Sequence, residues 1–267
     1  RIFVVLGFSG IALAILVRVI IREPKRGNME LKPATNLRQP PFKESLITLL
    51  SIPSWWAMCF GIAFGSFVAY AFSAFQTKYL ILLDPSYDFK LLLIVLGILN
   101  GTTYAGGTFF GARIADKWGA QNIKAYGWLP ALAVLITLPL GLMCFWVPTV
   151  DLHLISVTFL LFFSGIYFGP CFAIAQTLAP INQRAMSTAL FFFILNMIAL
   201  GGGPTFAGWL IDFFKAGSSE LVATRYAMSA VYLGLIPSII SFVIVAKILP
   251  RDWKNAELRN IELAANN

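Results

Sequence analysis

Residues 109–122, "FFGARIADKWGAQN", place Arg113, Asp116 and Lys117 between two long runs that hold no charge. The run before them covers 91–112 and the run after covers 125–150. Each exceeds the ~20 residues that carry an α-helix across a bilayer. Three readings compete for the stretch: a catalytic cluster, a ligand site, or a short polar turn joining two membrane spans. The rest of the chain decides between them.

Working outward, further charge-free runs cover 54–77, 154–183, 185–211 and 226–246. Another apolar run, from Ile2 to Ile21, is interrupted only by Arg18, close enough to its end to snorkel. The pattern predicts seven helical spans at 2–21, 55–81, 91–112, 127–147, 154–178, 185–211 and 227–249. Composition agrees: 58% of the 267 residues are hydrophobic and 12% charged, against about 25% charged in soluble domains. The expected fold class is an all-α, polytopic membrane helical bundle. The first run is no secretory signal, because its basic residues follow the apolar stretch. Since the chain opens "RIFVVLGFSG" at or inside a span, the expectation is a fragment whose N-terminal part is missing.

A net charge of +8 is common in nucleic-acid binders, but its placement here argues for topology. Alternating spans put Arg18, Arg22, Lys25, Arg26, Lys32, Arg38, Lys43, Arg113, Lys117, Lys124, Arg184, Lys247, Arg251, Lys254 and Arg259 on one side. Only Arg1, Lys78, Lys90, Lys215 and Arg225 fall on the other. The positive-inside bias makes the first side cytoplasmic. The expected partner is the lipid bilayer, with no nucleic acid, and in a bacterium the location is the inner membrane.

The longest polar stretch, Arg22 to Ser45, reads as a cytoplasmic linker rich in Pro, Lys and Arg. It ends in "FKESLITLLSIPSWW", whose apolar part suits a short interfacial helix. Pro53 and the Trp55–Trp56 pair are expected at the headgroup boundary. Glycines four apart (Gly61 and Gly65, Gly97 and Gly101, Gly165 and Gly169) predict close helix packing. In "GGGPTFAG", residues 201–208, Gly203 and Pro204 predict a bend, since proline removes a helix hydrogen bond.

Enzyme chemistry lacks its parts. The single histidine, His153, falls in an outer loop and is expected to be solvated, without metal-ligand company. Cys59, Cys144 and Cys171 are too scattered for a metal site. None of the twelve acids lies in the middle of a span, where proton- or sodium-coupled carriers often hold a carboxylate. Any coupling residue then belongs to the missing part, and no cofactor is expected.

Uncharged polar groups are present at helical spacing. Ser66, Tyr70, Ser73 and Thr77 share one face, with Gln76 beside them. Asn100, Thr103, Tyr104 and Thr108 follow in the next span, then Ser164, Tyr167 and Cys171, then Asn196. A polar stripe must face other helices or water. Two accounts stay open: hydrogen bonds between helices, or a wet central cavity that meets a solute. In the second, Tyr70, Ser73, Gln76, Thr77, Asn100, Tyr104, Tyr167 and Asn196 are the candidate wall.

The opening stretch now lies at a cytoplasmic turn, where Gly119 is expected to permit a tight reversal. There "ARIADKWGAQ" resembles the Gly-x-Leu-Ala-Asp-Arg-x-Gly-Arg-Lys signature of the major facilitator superfamily, with Asp116 and Gly119 as the matched core. Ala112 stands for the first Gly, and Ala120 and Gln121 replace the basic pair. "PINQRAMSTALFFFILNMIALGGGPTFAGWLID" resembles that superfamily's eleventh helix, with Arg184 at its inner end, and "IIREPKRG" resembles the central-loop entry of bacterial Spinster-type members.

The resemblance implies a C-terminal six-helix bundle over 55–249 and a preceding last helix of the N-terminal bundle over 1–21. A cytoplasmic loop with a short interfacial helix lies between them over 22–54, and a cytoplasmic tail covers 250–267. It implies a secondary transporter working by alternating access on a small or amphipathic solute, lysolipid or sphingolipid-like in the Spinster branch. Carriage of organic anions, sugars or drugs, and a non-transporting sensor or scaffold, are the alternatives. Asp116, with Arg113, Lys117, Gly119 and Arg184 around it, becomes the candidate cytoplasmic latch, meeting a helix N-terminus or an arginine.

Overall fold

A computed structural model describes residues 2–20 and 40–265; of the linker expected over 22–45, residues 22–39 lie outside the described residues. The chain divides into two units, one covering residues 39–260 and the other holding 1–38 with 261–267. The second contributes helix α1, Ile2–Ile20, apolar with Arg18 in its last turn.

The larger unit opens with α2 (Phe42–Leu50) and then holds six stretches long and apolar enough to cross a membrane. The first is α3 (Pro53–Leu83), started by Pro53 where no amide is needed. The second joins α4 (Phe89–Leu99) to α5 (Ala105–Gly119) through a π-helical turn at Asn100–Tyr104. Asp88 caps α4 by accepting from the amides of Lys90 at 2.9 Å and Leu91 at 3.3 Å. The third is α6 (Ala125–Cys144). The fourth joins α7 (Val150–Ile166) to α8 (Phe168–Leu178), and the fifth is α9 (Arg184–Lys215) behind a short 3-10 turn. The sixth joins α10 (Glu220–Tyr232) to α11 (Leu235–Ala265).

Two interruptions follow from proline. Pro170 lacks the amide that would bond the Ile166 carbonyl, and α7 ends at Ile166. Pro237 likewise leaves the Leu233 carbonyl, which instead accepts the Ile236 amide at 3.0 Å in a tighter turn. Pro204 behaves otherwise: α9 runs unbroken through it.

The spans meet through glycines. A side chain at Gly107 or Gly111 would run into the backbone carbonyls of Phe162 and Ile166, so α5 lies directly on α7. Gly165 is pressed in return against the Tyr104 carbonyl and the Thr108 amide. Gly203 sits under the Phe67 carbonyl and brings α9 against α3. Of the expected pairs, Gly61 meets Phe242 and Gly65 meets Tyr167, whereas Gly97 and Gly101 face open space and Gly169 has only ordinary contact.

Neighbouring helices cover two residues whose surroundings the sequence does not reveal. Trp55, in the first turn of α3, is fully buried and its indole N–H donates to Ser187 Oγ at 2.8 Å. His153 is not a solvated loop residue. α7 starts earlier than expected, capped by Thr149, and carries His153 inside against the rings of Tyr79 and Phe145. Its Nδ1 lies 2.8 Å from the Cys144 carbonyl.

The far end, opposite the basic one, is tied by polar pairs. Glu220 bridges Lys78 and Lys215, joining α3, α9 and α10. In the loop before α4, Asp84 accepts from Ser86 Oγ at 2.6 Å and the Ser86 amide at 3.0 Å. These bonds hold the Asp84 carboxyl below its usual range.

Candidate functional site

The interruptions of the second and fourth spans face each other. The π-turn Asn100–Tyr104 and the break at Tyr167 are joined where Gly165 packs on the Tyr104 carbonyl. π-turns inside helices are frequent at functional positions because they displace a side chain from the regular ladder. Here the turn sets Tyr104 within electrostatic reach of both Tyr70 on α3 and Tyr167. Tyr167 is buried, with its Oη against Gly65, while Tyr70 and Tyr104 are half-buried. Tyrosines from three spans thus lie in one neighbourhood of the bundle.

An aromatic strip continues from this point. The Tyr104 ring is 6.3 Å from Phe168, Phe168 is 4.9 Å from Phe172, and Phe172 stacks on Phe192 at 4.6 Å. Phe192, Phe193, Asn196, Met197 and Leu200 then line a shallow open hollow of about 540 Å³ along α9.

The remaining candidates are not gathered with the tyrosines. Ser73 is exposed and Thr77 half-buried on the same helix as Tyr70. Gln76 is turned inward at 5% exposure, with its Nε2 unpaired. Asn100 and Asn196 each donate to a carbonyl of their own helix, Leu96 and Phe192, both at 2.8 Å. Ser66, counted in the stripe, is buried too. The π-turn itself escaped the sequence reading, although the polar run "NGTTY" inside an apolar span marks the place.

At the basic end, Arg113, Asp116 and Lys117 are exposed on the last turns of α5, which reaches Gly119. Gly119 is thus helical and not a turn residue; its lack of a side chain makes room for the Tyr126 ring. The Arg113 guanidinium lies 5.8 Å from the Phe109 ring. Asp116 has no ion pair among the described residues. Arg184, half-buried, opens α9.

The model of the Major Facilitator Superfamily matches residues 1–204. This chain belongs to the Major Facilitator Superfamily. It is 26% identical over 213 residues to an MFS-type efflux pump of Mycolicibacterium smegmatis, a match that takes in 79% of this chain and 47% of the pump. The chain therefore spans about half the length of that relative. Among solved structures it resembles a bacterial homologue of the human lysosomal transporter Spinster. The inward-facing, unoccupied form gives a TM-score of 0.76 at 22% identity, over 94% of this chain and 59% of that one. The inward-facing, occupied form gives 0.69 at 21% identity, over 94% and 58%. With six long apolar helices among the described residues, this is a multi-pass integral membrane protein of the superfamily's helical fold.

As a facilitator-superfamily chain, it shows a particular division of labour. The signature carboxylate Asp116 stands at the surface. At the same end a different carboxylate meets the start of α3, that of Asp252 on α11, whose Oδ2 accepts the Ser54 amide at 2.9 Å. Among the described residues no group of three or more His, Cys, Asp and Glu side chains is placed to hold a metal ion.

Proposed function

We propose that the chain is the C-terminal half of a secondary active transporter that moves an amphipathic solute, lysolipid or sphingolipid-like, by alternating access between two helical bundles. The observation carrying the reading is the convergence of Tyr70, Tyr104 and Tyr167 at two facing helix interruptions, continued by an uncharged aromatic strip. Hydroxyls suit the polar but uncharged portion of such a solute. The strip Tyr104, Phe168, Phe172 and Phe192, with the hollow beyond it, suits an apolar tail. Each buried CH₂ of a tail would contribute about 0.8 kcal/mol. Ser73 and Thr77, on the helix that carries Tyr70, extend this half of the wall, and Asn196 lies in the hollow beyond the strip, the other half coming from a second bundle. Asp116 on its exposed helix end is the latch that meets a group supplied from outside these helices, with Arg113, Lys117 and Arg184 setting the local field. The efflux pump supports transport of this general kind, and the uncharged aromatic strip is the reason an amphiphile is preferred over a sugar.

The full-length protein in proteoliposomes provides the test. A fluorescent lysolipid should move across the bilayer at a rate that Tyr104→Ala lowers about tenfold or more, the cost of losing a buried ring contact and its hydroxyl. A sugar and a small organic anion should not move. Flux of the sugar or the anion without flux of the lysolipid would replace the substrate assignment, and no flux of any solute would favour a sensor or scaffold.

A further inference from the structure

The last helix continues beyond Pro250 and crosses the basic end of the bundle. Asp252 is 6% exposed there, and its contact with the Ser54 amide places a carboxylate on the first turn of α3. Seven residues further along the same face, Arg259 lies within electrostatic reach of Asp252. Its Nη2 donates to the carbonyl of Leu178, the last residue of α8, at 2.8 Å. An anion at a helix start and a cation at a helix end each oppose the partial charge of the peptide dipoles there. Between the two, Trp253 lies nearly parallel to Tyr126 at the start of α6, ring planes 10° apart, and its indole N–H donates to Glu257 at 2.7 Å. One turn deeper, Trp55 bonds Ser187, which donates in turn to the Ala175 carbonyl at 2.8 Å, so α3, α9 and α8 are already linked below the crossing.

We propose that residues 251–260 form a clasp that makes the basic ends of α3, α6 and α8 move as one body, with Asp252 and Arg259 as its positioning residues. Neither group lines the tyrosine site. The clasp acts by holding the inner ends of the two spans, α3 and α7–α8, that carry Tyr70 and Tyr167. Without it the start of α3 has no carboxylate partner, and the bundle's inner end opens locally while the far end keeps its own ties. The consequence for solute movement rests on the transport reading above; the structural role does not.

The native thiols report on this directly. Cys59 on α3 and Cys171 on α8 are buried and close enough to interact, while Cys144 is buried on α6 at the far end. Maleimide labelling of the full-length protein, with each thiol followed in its own peptide, reads local opening. Asp252→Ala should raise the labelling rates of Cys59 and Cys171 about tenfold and leave Cys144 within about twofold, the size expected for a lost helix cap. Asp252→Asn keeps an oxygen for the Ser54 amide and should fall between that variant and the natural protein. Arg259→Gln should raise Cys171 more than Cys59, and with Asp252→Asn it carries the test where Asp252→Ala does not accumulate. Equal increases at all three thiols, or none at Cys59 and Cys171, would overturn the clasp. Altered labelling in a protein that moves no solute would uphold the clasp and fail the transport reading. Lost flux with unaltered labelling would do the reverse.

Discussion

Spans 53–83 and 150–178 have 56% of their most apolar stretch buried, whereas span 89–119 has 11% and span 181–215 has 22%. All four are similarly apolar, so hydrophobicity alone does not decide which helices form the centre. Backbone approach ties each exposed span to a central one: Gly107, Gly111 and Gly165 join α5 to α7, and Gly203 joins α9 to α3, each putting one helix's peptide groups directly against another's. In lipid, where apolar side chains gain little by leaving one oily surface for another, such contact is a main source of cohesion. On the outer half of span 89–119, Gly97 and Gly101 have the same spacing and meet nothing among the described residues. Spacing of small residues is therefore a licence to pack, not evidence of packing.

Breaking the contrast at its strongest point means filling the α5–α7 contact. Gly107→Leu or Gly111→Leu would drive a side chain into the Phe162 or Ile166 carbonyl, at a cost above the usual 1–3 kcal/mol, about 4 or more, because backbone has to separate. The expected result is loss of the monodisperse peak in size-exclusion chromatography; a well-behaved variant would contradict the packing. Gly203→Val at the α3–α9 crossing drives a side chain into the Phe67 carbonyl just as closely and should be about as costly, lowering the detergent Tm by many degrees where the protein still folds. Trp55→Phe keeps most of the buried ring but leaves Ser187 Oγ without its donor, a loss of about 1 kcal/mol visible as a smaller Tm decrease. Ser187→Ala in the same background should cost about 1 kcal/mol more, because it also removes the bond from Ser187 to the Ala175 carbonyl. On the exposed span, Gly97→Ala and Gly101→Ala should stay within about 1 kcal/mol of the natural protein, with a gain from helix propensity. A loss as large as at Gly203 would show that another segment of the longer protein covers that face.

The smallest effect belongs to the loop beside the exposed span. Bonds from Ser86 hold the Asp84 carboxyl below its usual value, so the turn they stabilise is intact above the ordinary carboxylate range. It is lost as pH falls through the depressed value. Hydrogen exchange at the Ser86 amide should therefore lose protection on acidification, and Asp84→Asn should abolish that dependence. Protection that persists at low pH would remove the assignment.

Much of this arrangement is legible from sequence because the signals are thermodynamically blunt. Uncharged runs of bilayer length and the asymmetry of Lys and Arg locate the spans, and Asp116 with Gly119 marks the family. The break at Tyr167 is also readable in retrospect, since Pro170 deprives Ile166 of its donor. What stayed hidden depends on three-dimensional neighbours. The burial of Trp55 shows only once Ser187 is known to receive its N–H, and His153 looks solvated until α7 is known to begin at Val150. Among the candidate wall residues, Tyr70, Tyr104 and Tyr167 come together, but the inward turn of Gln76 has no sequence signal, because a 3.6-residue period assigns faces without saying which neighbour each one meets.

The π-turn at Asn100–Tyr104 carries one more consequence. A wider turn acts as a phase shift in the helical register, equivalent to one residue inserted into an otherwise regular helix. Deleting a single residue within 100–104 would therefore restore regular helix and leave the residues beyond it in phase, with Gly107 and Gly111 still against α7. Winding the turn into regular helix with no residue removed would instead rotate everything downstream by about 100° and swing those glycines off the Phe162 and Ile166 carbonyls. The extra residue is thus a timing device: with it wound into the wide turn, the span presents Leu92 and Leu96 inward above and its glycines inward below.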